Sequence, residues 1–287
     1  MERIRQEQMD KRERQRRFEE LCKDESCLVY ELLSIEYVTQ LAAYLRQRVT
    51  FLRDIRQQQE EQQEEQQQQQ RPPAREQVDI LELGCGRGLL AFCLQRELSN
   101  DEAPSRPISY VATDSHPPFS DPCLGMVPIV CVDAEAALRR YSPLLVLISW
   151  MPFAVDWTSA VRLSDALEYV LIGHGEGGLM GRHYETWGCV RADPHTGDLD
   201  PLIRRRLDDN RVGDGEGDDD TCCYPEGPLP DGLRPYVCDG FERVRLVDLR
   251  ELQLCRFDDL ESMLVAGGLS TSQTNSFRRW TREGGNH

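Results

Sequence analysis

The strongest constraint in this sequence is a glycine-rich turn set between a strand and a helix. Residues 78–83 form a short, nearly continuous apolar run that suits a buried strand, and residues 89–98 carry apolar side chains at helical spacing. Between them stands Gly84-Cys85-Gly86-Arg87-Gly88. Glycines in such a turn permit positive φ, and they let a second molecule approach the backbone with no Cβ in the way. A buried strand followed at once by a helix is the opening of a βαβ unit.

The chain then keeps that rhythm. Residues 108–113, 127–132, 144–149 and 168–172 each suit a buried strand, and 89–98, 134–141 and 159–167 suit the helices or turns between them. Further on, 241–249 and 271–280 have the character of strands, with 257–266 as a helix between them. The expected fold is α/β: a doubly wound, mostly parallel, seven-stranded Rossmann-like sheet with helices on both faces.

Ahead of this series lie N-terminal helices. Residues 1–20 read as a charged, solvated helix, and from Glu36 to Ile55 the positions Val38, Leu41, Leu45, Val49 and Leu52 recur at helical spacing. That apolar stripe suits packing on the domain's own core; a partner docking through the N-terminal helices is the alternative. Residues 57–70 are almost entirely Gln and Glu, and Arg71-Pro72-Pro73 stops any helix. The expected organisation is therefore an N-terminal helical segment over 1–56, a Gln/Glu-rich linker or exposed helical extension over 57–75, and one main domain over 76–287. Within the last, 188–235 forms a long acidic loop, most strongly acidic over 208–220.

Charge and cysteine usage narrow the function classes. A net charge of −16 argues against a broad nucleic-acid surface, which needs clustered Lys and Arg. The eleven cysteines are odd in number, scattered, and contain no Cys-x-x-Cys pair. This fits reduced thiols in the cytoplasm or nucleus rather than a disulfide framework or zinc site. The longest apolar run, 144–153, is too short to span a membrane and contains Pro152. The mixed charges of residues 1–20 speak against a secretory signal or transit peptide.

The spacing of the loop decides between ligands. A dinucleotide fingerprint requires Gly-x-Gly-x-x-Gly, whereas the sixth position here is Leu89. Glu82, two positions before the first glycine, together with Gly84, Gly86 and Gly88, resembles the first motif of class I S-adenosylmethionine-dependent methyltransferases. Asp114 follows the next expected strand, and Asp133-Ala134 follows the third. Each acid alone is more often an ordinary helix N-cap. The resemblance implies that Asp114 accepts hydrogen bonds from the ribose hydroxyls of S-adenosylmethionine. It further implies that the Asp133 carboxylate and the Ala134 N–H meet adenine, and that Ser149 at the end of the fourth strand borders the cofactor.

The fourth strand runs into Trp150-Met151-Pro152-Phe153, where many amine methyltransferases carry Asn-Pro-Pro-Tyr or a relative; an amino-group target is therefore not established. The Trp-Met-Pro run followed by Asp156-Trp157-Thr158 resembles a eukaryotic methyltransferase-like group, over roughly Asp79 to Trp187 and again near Ser276-Phe277-Arg278-Arg279. The activity implied is methyl transfer to an unidentified acceptor, with a protein side chain as one class. The alternative is a catalytically inactive protein that keeps the cofactor fold and acts through its N-terminal helices. Trp150 reads either as a wall of the acceptor pocket or as core. Asp156, Glu176 and His174 are the candidates for a base, should the acceptor arrive protonated. His174, Glu176, His183 and Glu185 lack a metal-ligand spacing, so no metal is expected.

Overall fold

A computed structural model describes residues 30–66, 75–100, 106–116, 127–175, 179–190, 227–228, 233–258 and 271–280. Its centre is a seven-stranded sheet in the order β3-β2-β1-β4-β5-β9-β8. The members are β1 (Glu76–Leu83), β2 (Tyr110–Asp114), β3 (Ile129–Cys131), β4 (Tyr141–Ser149), β5 (Glu168–His174), β8 (Phe241–Arg245) and β9 (Ser272–Arg279). The pairings β3·β2, β2·β1, β1·β4 and β4·β5 are parallel, while β9 lies antiparallel to both β5 and β8. Two-residue strands β6 (Cys189–Val190) and β7 (Gly227–Pro228) pair with each other outside this sheet. The chain is a Rossmann-like α/β protein.

The central strands are apolar along their whole length because both faces are covered. In β4, Leu145 and Leu147 pack towards one face while Val146 and Ile148 pack towards the other. In β5, Val170 and Ile172 join the first face, and Tyr169 and Leu171 the second. The first face is covered by α1 (Ile35–Gln66) and α2 (Leu89–Ser99). The second is covered by α3 (Ala134–Arg140), α4 (Thr158–Leu163), α5 (His183–Trp187) and α6 (Pro235–Cys238).

Helix α1 starts where the Ser34 hydroxyl accepts the Tyr37 N–H at 3.1 Å. Tyr37, Val38, Leu41, Leu45, Val49 and Leu52 then bury one stripe against the sheet. Two ion pairs pin the same helix to strand starts: Arg53 grips Asp79 through both oxygens at 2.8 and 2.7 Å, and Arg48 reaches the fully buried Glu168 at 2.6 Å. The apolar stripe is therefore used within the chain itself. The helix runs unbroken past the expected boundary at 56, as far as Gln66, because Gln and Glu are good helix formers.

Several boundaries differ from expectation for local reasons. The helix expected over 134–141 ends at Arg140, since Tyr141 already pairs with Glu76 of β1. The fourth strand therefore begins at Tyr141 rather than at 144 and runs through Pro143, which lies before β5 joins at Leu145 and so has a strand neighbour on only one side. The helix expected over 159–167 stops at Leu163, with Ser164 extended and Ser164 Oγ bonded to the Val161 carbonyl. The strand expected over 241–249 ends at Arg245; α7 (Val247–Arg250) follows and buries Leu249 under the same face as α1. The helices expected over 1–20 and 257–266, and most of the acidic loop 188–235, lie outside the described residues.

Candidate functional site

Strands β1, β2 and β3 step outward in one direction, and the chain returns to lay β4 on the other side of β1. In an open parallel sheet, such a reversal leaves a crevice at the carboxyl ends of the strands, which is where ligands bind. The glycine loop leaves β1 at that point.

The loop is held by its neighbours. The Cys85 N–H donates to the Thr113 carbonyl at 2.9 Å, and the Gly86 N–H donates to Asp114 Oδ2 at 2.9 Å. Asp114 Oδ1 accepts the His116 N–H at 2.8 Å. Each carboxylate oxygen has a second lone pair, so Asp114 can brace the loop and still receive hydroxyl donors. Gly86 has a φ of 56°, and a Cβ built there would meet no atom of the described residues within 4 Å. Among the described residues the backbone at Gly86 is thus open on that side, next to Asp114. Gly84 is glycine for another reason: at a φ of 67°, its Cβ would lie 2.5 Å from Cη2 and 2.6 Å from Cζ3 of Trp157. Gly88 is buried against Ile129 of β3.

Glu82 lies beneath the loop, 1% exposed, with Tyr110 donating its hydroxyl to Oε2 at 2.7 Å. Burial pushes its carboxyl up to about 7; the Tyr110 hydrogen bond opposes this and the nearby Asp114 charge adds to it. Glu82 is engaged inside the protein between β1 and β2. Asp133 is exposed after β3 and caps α3, its Oδ1 accepting the Ala136 N–H at 2.7 Å. Ala134 opens that helix, and Ser149 ends β4, half-buried. Strand order therefore sets Asp133, Asp114, the glycine loop and Ser149 side by side along one edge of the sheet.

Beyond Ser149 the edge becomes aromatic. Trp150 has a φ of 53°, uncommon for a bulky side chain, and its backbone N–H donates to the Ile172 carbonyl at 2.8 Å. Its ring stacks on Tyr30 at 5.4 Å and on His174 at 6.1 Å, with Phe257 tilted against it at 5.5 Å. Its indole N–H donates to Glu31 Oε2 at 3.1 Å. Glu31 is fully buried, and also receives Ser272 Oγ at 2.6 Å and Gln253 Nε2 at 3.1 Å. Burial pushes its carboxyl up to about 8, against the pull of those three donors. Tyr30 and Glu31 reach this edge because the stretch around them pairs with 253–256: the Leu32 N–H donates to the Leu254 carbonyl, and the Arg256 N–H to that of Tyr30, each at 2.8 Å. No local motif announces Tyr30, Glu31, Gln253 or Ser272.

Asp156 is engaged at the start of α4. Its Oδ1 accepts Thr158 N–H and Oγ and the Thr186 hydroxyl, while Oδ2 accepts Ser159 N–H and Oγ. Despite desolvation, those hydrogen bonds and the nearby Arg162 hold its carboxyl below the usual range, so it caps α4 and ties it to α5. His174 is half-buried, which lowers its pKa; Nδ1 accepts the Leu179 N–H at 3.3 Å, so the neutral ring carries its proton on Nε2. Glu176 lies outside the described residues. Among the described residues, no three His, Cys, Asp or Glu side chains gather as a metal site, and no helix is long and apolar enough to cross a membrane.

A cleft of about 270 Å³ opens at the opposite edge, by the starts of β1 and β4. Arg53 and Arg56 line it, already bonded to Asp79, Ser142 Oγ and the carbonyls of Pro107 and Asp165. It is remote from the loop.

No family model and no curated protein matches the chain. Among solved structures, one described as a "DhpI-SAH complex structure" is similar at 11% identity, covering 72% of this chain and 78% of that one, with a TM-score of 0.32. Another, the methyltransferase domain of bacterial-CtHen1-C, is similar at 10% identity, covering 71% and 90%, with a TM-score of 0.29. Likeness at these values carries no argument about ligand or chemistry, and the site stands on its own geometry.

Proposed function

We propose that the chain binds S-adenosylmethionine in the hollow beside Gly86 and transfers its methyl group to an acceptor docking at the carboxyl end of β4. The observation that carries this reading is the bond between the Gly86 N–H and Asp114 across 28 residues of sequence, beside a loop position that is open where a Cβ would stand. A glycine backbone and two acids after successive parallel strands fit the polar nucleoside end of that cofactor, in the manner the sequence resemblance implies.

When bound, S-adenosylmethionine supplies a methyl group already activated by its sulfonium. The protein's work is then positioning and exclusion of water. Asp114 holds the ribose hydroxyls and Asp133 the adenine edge, while the glycine loop shapes the hollow between them. Trp150, fixed by Glu31 and by its aromatic neighbours, gives the acceptor a flat and rigid wall. An acceptor that arrives as an unprotonated amine, such as a neutral protein side chain of that kind, would attack without a general base and lose its proton to solvent afterwards, which agrees with the engagement of Asp156 in capping α4.

Calorimetric titration tests the reading. Wild type takes up S-adenosylmethionine and not NADH, and a folded Asp114→Asn protein binds at least about tenfold more weakly, the effect of losing a charge-assisted acceptor. Failure of wild type to bind S-adenosylmethionine, or equal affinity in Asp114→Asn, overturns it.

A further inference from the structure

The first glycine of the loop is in contact with an aromatic ring that lies far from it in sequence. Trp157 rests the edge of its indole on Gly84 so closely that any side chain at position 84 would overlap Cη2 and Cζ3. The ring is half-buried and packs on the core beneath β4, and its backbone N–H donates to Met151 Sδ at 3.2 Å. On either side of it, Asp156 and Thr158 are locked into the network that caps α4. The backbone on both sides of Trp157 is thus tied down.

Its position along the edge of the sheet matters. Asp133 follows β3 and Asp114 follows β2, on one side of the glycine loop; Trp157 follows β4, on the other. A molecule whose nucleoside end meets the two acids and whose middle crosses Gly86 must direct its remaining end towards β4. For S-adenosylmethionine that end is the amino-acid tail. We propose that Trp157 walls the part of the hollow that takes this tail, and so sets the length of ligand the site accepts, leaving the adenosine end to Asp114 and Asp133. This assignment rests on the cofactor reading above. It differs from loop support alone in one measurable respect: a wall acts on the tail, whereas a brace for Gly84 acts on every ligand of the loop.

The test compares ligands with and without the tail in wild type and two Trp157 variants. S-adenosylmethionine and 5′-methylthioadenosine share the adenosine part; the first adds the amino-acid tail and a sulfonium charge, so S-adenosylhomocysteine, which has the tail without the charge, is titrated beside them and must weaken as S-adenosylmethionine does. In Trp157→Ala, calorimetry should show affinity for S-adenosylmethionine falling about tenfold and that for methylthioadenosine less than about twofold, the scale of one lost aromatic contact. Trp157→Phe keeps a ring at the position and should lose about threefold, again on the tailed ligands alone; it also carries the test if the alanine protein does not fold. Equal weakening of tailed and tailless ligands, or of neither, overturns the proposal. Asp114→Asn, which should weaken them all, reports separately on the underlying reading, and a wild type that binds none of them defeats that reading and this inference together.

Discussion

Replacing Glu31 by Gln should remove most of the alkaline loss of stability that this one carboxyl imposes. Glu31 is fully buried and its carboxyl is pushed from 4.5 to about 8, chiefly by burial. The folded protein therefore keeps a proton on Glu31 that the unfolded chain has released, throughout the interval between those values. Stability from this group is fully present below pH 4.5, falls as pH rises, and levels off once the folded carboxyl ionises near pH 8. Each pH unit in that window is worth about 1.36 kcal/mol, so the loss is about 5 kcal/mol in all, a large fraction of the stability of an ordinary domain. Glu82, raised to about 7, adds a slope of its own, but both proteins carry it and it cancels from their difference. A Gln cannot ionise and is close in shape to the protonated acid. Urea unfolding at constant ionic strength, followed by fluorescence at pH 6, 7, 8 and 9, should show Glu31→Gln gaining about 1 kcal/mol on wild type between pH 7 and 8, with no further gain above about pH 9. Two proteins that lose stability in parallel across that range would refute the reasoning.

Two further substitutions probe the supports of the site. Arg48→Met leaves the Glu168 carboxylate buried without its paired guanidinium, held by the Tyr44 and Ser276 hydroxyls with Arg278 nearby, and should cost about 3 kcal/mol, read as a fall in melting temperature of about 6–12 °C; the double variant with Glu168→Gln should recover much of it, and an unshifted single variant would contradict the account. Asp156→Ala removes the acceptor shared by Thr158, Ser159 and Thr186, and should destabilise by about 2–3 kcal/mol while leaving the affinity of folded protein for S-adenosylmethionine within about twofold. Calorimetry on that variant checks it, and a large loss of affinity would return Asp156 to the binding site.

How much of this could be read from the sequence depends on whether the cause of each feature is local. The core strands were legible because a parallel strand covered on both faces must be apolar throughout, and 144–149 and 168–172 leave no other assignment. The glycine loop was legible for the same kind of reason, since strand, turn and helix follow one another directly over residues 76–99. Asp156-Trp157-Thr158-Ser159 was ambiguous: an acid ahead of two hydroxyl residues suits a cap as well as a base, and the cap is visible only in the five hydrogen bonds that Asp156 accepts. The aromatic edge was half legible. Trp150 announces itself by following a strand, but what holds it does not, because Glu31 meets Gln253 and Ser272 across 222 and 241 residues. A polar residue whose partners come from the far end of the chain leaves no periodicity and no motif. The same asymmetry divides the proposed site. Its cofactor half is built from consecutive strand ends, so each acid could be assigned by counting strands. Its acceptor half is built from a stretch ahead of α1, the end of β4 and the approach to β9, three pieces that meet only because β9 inserts antiparallel beside β5. The chemistry nearest the acceptor thus rests on contacts the sequence could not announce, and Trp157, touching Gly84 from the β4 side, is where the two halves meet.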